Sequence, residues 1–287
     1  MRSLGIDVGV RKGLDLVLLE GADGPPAPVE RRRRVRRAGL EQLLREWRPD
    51  VVAIDAPPQW GIHAGGSRLT EQELRRFGIQ SFGTPSDPRK AENAFYEWMT
   101  VGFAAYEAAA RCGFKRFGSG RARGTAMEVY PHASAVVLSG CLPPRGVSKR
   151  DFRTAVLRGQ GVQLEGLRSI DQIDAALASL TGLLALQGRC FAPGDPKEGV
   201  IVLPARSLPP PPYRRCAEPP AFEEQPHLPG LSPCACGDAD CTELTTTEFA
   251  RGHDAKRKSM LWSKARLGDE AVQELRRRGW ELPPEMR

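Results

Sequence analysis

Carboxylates at the ends of apolar segments are the feature that most constrains the fold of this chain. In SLGIDVG, Asp7 stands between apolar residues just before a glycine turn, and the short apolar run VVAID ends at Asp55. A desolvated carboxylate is costly to bury unless it has a partner or a cation. A fold that gathers such acids from separate elements around a shared cation meets this requirement.

The order of the predicted elements narrows the architecture. The chain reads as strands at 3–9, 14–20 and 28–35, an amphipathic helix at 40–47, and a fourth strand at 51–55. Strand, strand, strand, helix, strand is the order of a ribonuclease-H-like core, in which the first and fourth strands lie side by side and parallel. We therefore expect an α/β protein with a ribonuclease-H-like mixed sheet flanked by helices, with the two acids near one another.

Six segments between residues 5 and 204 resemble those of a known family, in the family's order. They are GIDVG at 5–9, VVAIDAPP at 51–58, RLTEQELRRFGIQSFGTP at 68–85, MEVYPHAS at 127–134, DQIDAALASLTGLLA at 171–185 and KEGVIVLP at 197–204. The chain is similar to the predicted ribonuclease-H-like nuclease family, otherwise known as a domain of unknown function. The resemblance implies a ribonuclease-H-like fold over about residues 1–204 and a nuclease activity.

Convergent carboxylates suit a site with two metal ions. Mg²⁺ and Mn²⁺ prefer oxygen ligands, and two such ions about 4 Å apart hold the attacking and leaving oxygens of a phosphodiester. We predict that Asp7 bridges the ions, that Asp55 adds a ligand, and that Asp171 or Asp174 reaches in from a helix. Asp171 and Asp174 are three residues apart and share a helix face, but Asp171 is equally explained as a first-turn or capping acid.

The segment MEVYPHAS places two further candidates between a strand and a helix. One interpretation makes Glu128 a metal ligand or general base and His132 a proton shuttle, because histidine titrates near neutrality. The other interpretation pairs Glu128 with an arginine and makes His132 a cap on a buried helix end. The sequence leaves both interpretations open.

Arginines are candidates for contacts to phosphate. The chain has 42 Lys and Arg against 35 Asp and Glu, and the guanidinium group is a good fork for phosphate. Arg68, Arg75 and Arg76 follow Asp55 closely and are predicted to bind a nucleic-acid substrate. The run RRRRVRR at 31–37 is better explained as a solvated strand, where charge prevents unwanted pairing at a sheet edge.

Composition divides the chain into three parts. Residues 1–204 form the predicted core, with a helical insertion at about 60–125. Nine of the 25 residues in 209–233 are proline, which predicts an extended linker over 205–233. Residues 234–287 then form a small Cys/His module.

Aromatic residues repeat at helical spacing within the insertion. The segment AENAFYEWMTVGFAAYEAAAR at 91–111 carries them. Such a stripe is typical of a core helix and less often of a platform on which bases stack. The preceding segment, 60–90, follows Asp55 and is predicted to border the active site as a substrate loop or lid.

Three of the seven cysteines lie together in CACGDADC. Cys234, Cys236, Cys241 and His253 provide ligands for a tetrahedral structural zinc ion, and so small a module needs such a staple to fold alone. Cys216 or His227 is an alternative to His253. Reduced thiols on a flexible tail are the alternative to zinc.

No disulfide framework is expected from the remaining cysteines. Cys112, Cys141 and Cys190 are scattered and are predicted to be ordinary buried thiols. The chain has no run of about 18 apolar residues, and MRSLGIDV enters a strand without a signal-peptide core. These features predict a soluble cytoplasmic protein with no membrane partner.

The expected function is a nuclease that uses Mg²⁺ or Mn²⁺ to hydrolyse DNA or RNA. An ATP-using or phosphate-using enzyme of the sugar-kinase and actin type shares the core, but it needs a Ser or Thr after the first Asp-x-Gly and a second glycine-rich loop. DVGVRKG lacks the first feature, and no glycine cluster follows Asp55. A non-catalytic nucleic-acid scaffold would be favoured by a missing carboxylate, and none is obviously missing.

Overall fold

A computed structural model describes residues 1–21, 25–217, 232–233, 244–245, 261 and 269–277. The chain divides into two units, Met1–Ala221 and Phe222–Arg287. The candidate acids at strand ends and at the start of the long helix all lie in the first unit.

A mixed sheet of seven strands forms the centre of the described part of the first unit. The strands are β1 (Arg2–Gly9), β2 (Gly13–Glu20), β3 (Ala27–Val35), β4 (Val51–Ile54), β5 (Lys115–Arg116), β6 (Thr125–Val129) and β7 (Ile201–Val202). Their order is β3-β2-β1-β4-β6-β5, with β7 also paired to β6. The first three strands are antiparallel neighbours, whereas β4 runs parallel to β1, and β6 parallel to β4. The predicted mixed sheet is confirmed. Residues 31–35 of the arginine run lie on the edge strand β3, whereas Arg37 begins the helix Arg37–Trp47.

Helices cover both faces of this sheet. They are α1 (Arg37–Trp47), α2 (Leu69–Arg76), α3 (Glu97–Arg111), α4 (Pro131–Ser139), α5 (Lys149–Gly159) and α6 (Ile170–Leu186), with short 3-10 helices at Pro88–Glu92 and Ala94–Tyr96. Successive strand residues point to opposite faces. In β2, Leu16 and Leu18 therefore join the core that contains α1 and α3, while Val17 and Leu19 join the core that contains α4, α5 and α6.

Helix α6 lies very close to the central strand. A Cβ atom built on Gly5 would be 1.9 Å from the carbonyl oxygen of Ala175 and 2.5 Å from the amide nitrogen of Ser179. The hydroxyl of Ser179 donates to the carbonyl of Ser3 at 2.5 Å. Because no side chain fits between strand and helix at Gly5, the backbone of α6 contacts the backbone of β1 directly.

The prediction for the scattered cysteines was wrong for Cys141. It forms a disulfide with Cys216, with the Cα atoms 5.3 Å apart. The segment before Cys216 returns to the end of α4, where Leu142 donates its amide hydrogen to Arg214 O and accepts at its own carbonyl from Cys216 N. Tyr213 in the same segment is buried. The beginning of the proline-rich stretch is thus part of the first unit, and Cys216 is not a free zinc ligand.

Little of the second unit is described. Strands β8 (Ser232–Pro233) and β9 (Leu244–Thr245) pair in an antiparallel fashion, and α7 covers Asp269–Arg277. The predicted zinc ligands Cys234, Cys236, Cys241 and His253 lie outside the described residues, as does His227. Among the helices of the described ranges, none combines the length and hydrophobicity needed to cross a membrane.

Candidate active site

Asp7 and Asp55 meet at one edge of the sheet because their strands are parallel neighbours. Ile6 of β1 is paired with Ile54 of β4, so the next residue on each strand is one of the two acids. The amide of Asp55 also donates to the carbonyl of Ile6 at 2.9 Å. Both carboxylates are half-buried and line the same cavity. We call Asp7 and Asp55 the carboxylate pair.

Helix α6 brings two more acids to this cavity. Its first turn is fixed by a capping box, in which the hydroxyl of Ser169 accepts from the amide of Gln172 and the Gln172 side chain accepts from the amide of Ser169. Asp171 lies within this first turn and Asp174 follows it, and both line the cavity. The capping role that the sequence left open for Asp171 belongs to Ser169.

Asp171 and Asp174 each have a basic partner. Lys12 lies 3.5 Å from a carboxylate oxygen of Asp171. Asp174 is buried, forms an ion pair with Arg153 of α5, and has the ammonium group of Lys149 at 3.5 Å. The helical acids are therefore partly neutralised by basic side chains of the protein itself.

The carboxylate pair has no comparable compensation. Neither acid accepts a side-chain hydrogen bond or forms an ion pair with any residue in the described ranges. Burial and then repulsion from Asp55 and Asp174 raise the pKa of Asp7 to about 9. Burial and then repulsion from Asp174 raise the pKa of Asp55 to about 8, although Arg153 and Lys149 oppose this shift. Ionisation of the pair is therefore unfavourable until positive charge is added.

Glu128 lies on the neighbouring strand in a different environment. It is paired in register with Ile54, but its carboxylate accepts two hydrogen bonds from the guanidinium of Arg68, at 2.6 and 2.7 Å. Arg68 also donates to Glu71 at 2.8 and 3.0 Å. We call Arg68, Glu71 and Glu128 the arginine cluster. The sequence left two interpretations of Glu128 open, and in the structure Glu128 is paired with an arginine.

This geometry argues against the predicted phosphate contact of Arg68. The residue is only 1% exposed, and its guanidinium lies between the two glutamates. Glu71 also accepts from the amide and the hydroxyl of Thr84 at 2.8 and 2.5 Å. The cluster thus connects α2, β6 and the loop at Thr84. Burial raises the pKa of Glu128, and its arginine partner acts in the opposite direction.

The other predicted binding residues are closer to the surface. Arg75 is half-buried and hydrogen bonds to Ser67 and to the carbonyl of Ser81. Arg76 is exposed and forms an ion pair with Glu73. The Ser81 that Arg75 contacts lines the cavity, whereas Arg76 does not border it.

His132 lies in the first turn of α4 and lines the cavity. Its ring is in edge contact with Tyr130, with the centroids 5.7 Å apart. Burial, followed by the positive charges of Arg153 and Lys149, lowers the pKa of His132 to about 4. His132 is therefore neutral near pH 7, with no proton to donate as an imidazolium.

The cavity that joins these groups has a volume of about 840 Å³. Acids from β1, β4 and α6 line one part of it, and Lys12, Lys149 and Arg153 are also among its lining residues. Lys149 and Arg153 were not predicted from the sequence. They are four residues apart in SKRDFRTAV and share one face of α5, which was the available signal.

The donor set fits a hard divalent cation at the carboxylate pair. Two carboxylates without ion-pair partners among the described residues, whose pKa values are raised by burial and by neighbouring acids, gain most from added positive charge. A complete set of ligands is not assembled, because no group of three or more His, Cys, Asp or Glu in the described ranges has metal-binding geometry. Asp174 is bound to Arg153 instead.

Comparisons with known proteins identify a family. The model of a family described as "Protein of unknown function (DUF429)" matches residues 5–198. T. thermophilus RuvC in complex with Holliday junction substrate has a TM-score of 0.40 and 17% identity, covering 66% of this chain and 96% of that one. A second Thermus thermophilus RuvC structure has a TM-score of 0.34 and 20% identity, covering 65% and 92%.

These TM-scores are too low to carry an argument about function. A comparison with curated protein sequences gives no significant match. The family model, in contrast, spans well over half of the chain and includes the strands and helices that hold the acids. This chain belongs to the DUF429 family, a protein family of unknown function.

Proposed function

We propose that this chain is a metal-dependent nuclease that hydrolyses phosphodiester bonds in DNA or RNA. The observation that carries the proposal is the carboxylate pair. Asp7 and Asp55 follow paired positions on parallel strands, face a cavity, and form no ion pair with the described residues. Strongly perturbed acids in a cleft are characteristic of functional sites.

The roles of the acids follow from their positions. Asp7 and Asp55 would hold Mg²⁺ or Mn²⁺ from the sheet, while Asp171 and Asp174 approach from α6. When bound, the cation supplies positive charge that polarises a phosphodiester and makes water easier to ionise. Ligation by Asp174 requires its carboxylate to turn away from Arg153.

The basic residues of the cavity are suited to bind the phosphate group of the substrate. Lys149 and Arg153 project from α5 into the same cavity as the acids. Released from Asp174, their N–H groups are available to a non-bridging phosphate oxygen, where a guanidinium or ammonium stabilises developing negative charge. The neutral His132 lines the same cavity, and its lowered pKa of about 4 makes it a weak base.

The test is a cleavage assay with the purified full chain. Single- and double-stranded DNA and RNA are incubated with Mn²⁺, with EDTA as the negative control. We expect cleavage that depends on Mn²⁺ and that Asp7→Asn abolishes. The melting temperature should stay within a few degrees, because burial and neighbouring acids disfavour the ionised form of Asp7 and the amide replaces a group with no ion-pair partner among the described residues.

Asp195→Asn is the matched control variant. Asp195 does not line the cavity, and its side chain accepts from the amide of Lys197. It should retain wild-type cleavage. Equal cleavage by wild type and Asp7→Asn, or cleavage that persists in EDTA, would contradict the proposal.

For the second unit we propose a structural zinc site at Cys234, Cys236, Cys241 and His253. Elemental analysis should find close to one zinc per chain, because four such ligands form a closed tetrahedral site. Cys236→Ser should lose the metal and make this region sensitive to protease, since metal binding and folding are coupled. A protein without zinc and with a resistant tail would contradict the site.

A further inference from the structure

Five aromatic rings form a continuous row that begins at the cavity. Phe82 lines the cavity, and the row continues through Phe95, Tyr96, Trp60 and Phe103. Successive ring centroids are 5.5, 4.9, 6.4 and 5.1 Å apart, each in edge-to-face contact. We call these five residues the aromatic row.

The two rings nearest the cavity are exposed to an unusual degree. Phe82 is 63% exposed and Phe95 is 51% exposed, whereas a phenylalanine gains free energy by leaving water. Exposed apolar surface that adjoins a polar site is typical of a binding surface. None of the five rings is fully buried, so the row is not simply an edge of the core.

The backbone that carries Phe95 is held in place. The side chain of Asn93 accepts from the amide of Phe95 at 2.9 Å and thereby caps the 3-10 helix Ala94–Tyr96. The preceding 3-10 helix is capped in the same way, with Asp87 accepting from the amide of Arg89 at 3.0 Å. The exposure of Phe95 therefore belongs to a capped segment and not to a frayed end.

Basic side chains border the same cavity. Arg11 and Lys12 follow β1, and Lys149 begins α5; the side chains of both lysines are largely exposed. Aromatic rings next to positive charge are what a single strand of nucleic acid requires, because its bases stack on the rings and its phosphates approach the cations. The bases of an intact duplex are already stacked on each other and do not offer free faces.

We propose that Phe82 and Phe95 stack on unpaired bases of a nucleic-acid strand whose backbone enters the cavity, so that the substrate is single-stranded. This inference rests on the proposed nuclease function, and it assigns the substrate class. The first base contacts Phe82, since that ring lines the cavity. A further base contacts Phe95 along the row.

The test measures binding by the full chain. Fluorescence anisotropy is recorded with a labelled single strand, the corresponding duplex, and an abasic strand with the same phosphates, in Ca²⁺ so that phosphate contacts are kept while cleavage is suppressed. We expect the single strand to bind more tightly than the other two. Phe82→Ala with Phe95→Ala should weaken single-strand binding about tenfold or more, the order expected for lost stacking, and leave abasic-strand binding unchanged.

Two control variants make the result specific. The pair Phe82→Tyr and Phe95→Tyr keeps the rings and should retain binding. Phe191→Ala removes another partly exposed phenylalanine that neither lines the cavity nor joins the row, and it should also retain binding. Melting curves establish that each variant is folded.

Three results would overturn the inference. Equal binding of the base-bearing and abasic strands would leave the nuclease proposal standing and remove the stacking role. A concentration-dependent dimer in sedimentation that the alanine pair dissociates would make the row an interface between copies of the chain. Binding of neither strand, together with no cleavage, would remove the proposed function as well.

Discussion

The arginine cluster and the carboxylate pair contain similar residues on neighbouring strands and have opposite electrostatics. Glu128 on β6 is paired with Ile54, directly before Asp55 on β4. Glu128 receives two hydrogen bonds from a guanidinium that is itself shared with Glu71. Asp7 and Asp55 receive none from side chains of the described residues and repel each other. An acid at one strand end thus has a direct ion-pair partner among the described residues, whereas the acids at the neighbouring strand ends have none.

The difference distinguishes an acid with a structural partner from acids whose role is proposed to be functional. Removing one partner of a buried, fully bonded ion pair leaves the other charge unpaired and costs stability. Removing one acid of a repelling pair relieves the repulsion and costs no partner. The folded state keeps these acids together although their proximity is electrostatically unfavourable. Such an arrangement is characteristic of functional sites.

The largest expected effect tests this contrast through activity. Asp55→Asn should reduce Mn²⁺-dependent cleavage to background without lowering the melting temperature. Glu128→Gln should retain cleavage per folded molecule and lower the melting temperature, because the neutral amide cannot replace a carboxylate bound to Arg68. Specific activity and thermal melts of both variants are the measurements. If Glu128→Gln abolishes cleavage and Asp55→Asn retains it, then Glu128, and not Asp55, belongs to the reacting centre.

The next effect is on stability. Arg68→Met should destabilise the fold by about 3–5 kcal/mol, because two buried glutamates lose their counter-charge. The matched control Arg76→Met removes an exposed arginine and should cost no more than about 0.5 kcal/mol. Both values come from urea unfolding. If Arg68→Met unfolds like wild type and binds nucleic acid less tightly, Arg68 contacts phosphate after all.

A third effect appears in the pH dependence of metal-free protein. A carboxyl group whose pKa is raised on folding stabilises the fold below its unfolded value of about 3.9, and this contribution is lost as pH rises toward the folded pKa of about 9 for Asp7. The melting temperature in EDTA should therefore decrease as the pH rises from about 6.5 to 9. The His132 contribution runs in the opposite direction and lies below about pH 6.5.

Asp7→Asn should flatten this slope, and Mg²⁺ should flatten it in the wild type. Thermal melts over the same pH range, with EDTA or Mg²⁺, measure both. A wild-type slope equal to that of Asp7→Asn would mean that the carboxylate pair is not destabilised by its own charge.

The smallest expected effect concerns Arg76. Its side chain is exposed, so Arg76→Ala should leave the free energy of unfolding unchanged within about 0.5 kcal/mol. If Arg76 contacts a phosphate, as the sequence predicts, the slope of log K against log salt should decrease by about one. Binding titrations at several salt concentrations provide the slope, and an unchanged slope would remove Arg76 from the binding surface.

Local sequence was sufficient for the strands and for the meeting of Asp7 with Asp55, because hydrophobic patterns and the parallel pairing of β1 and β4 determine both. It was insufficient where a partner lies far along the chain. Arg68 is 60 residues from Glu128, and Cys141 is 75 residues from Cys216. Nothing near Arg68 distinguishes a buried guanidinium from one that faces solvent. The pairing of Asp174 with Arg153 likewise depends on how α5 packs against α6.

The close contact at Gly5 implies that a residue with no functional group helps to set the spacing of the acids. Asp7 lies two residues beyond Gly5 on β1, and Asp174 directly precedes Ala175, whose carbonyl a methyl group on Gly5 would overlap. Even an alanine at this position would push α6 away from the sheet and carry Asp171 and Asp174 with it. A search limited to polar side chains would not find Gly5, although its lack of a side chain allows α6 to lie this close to β1.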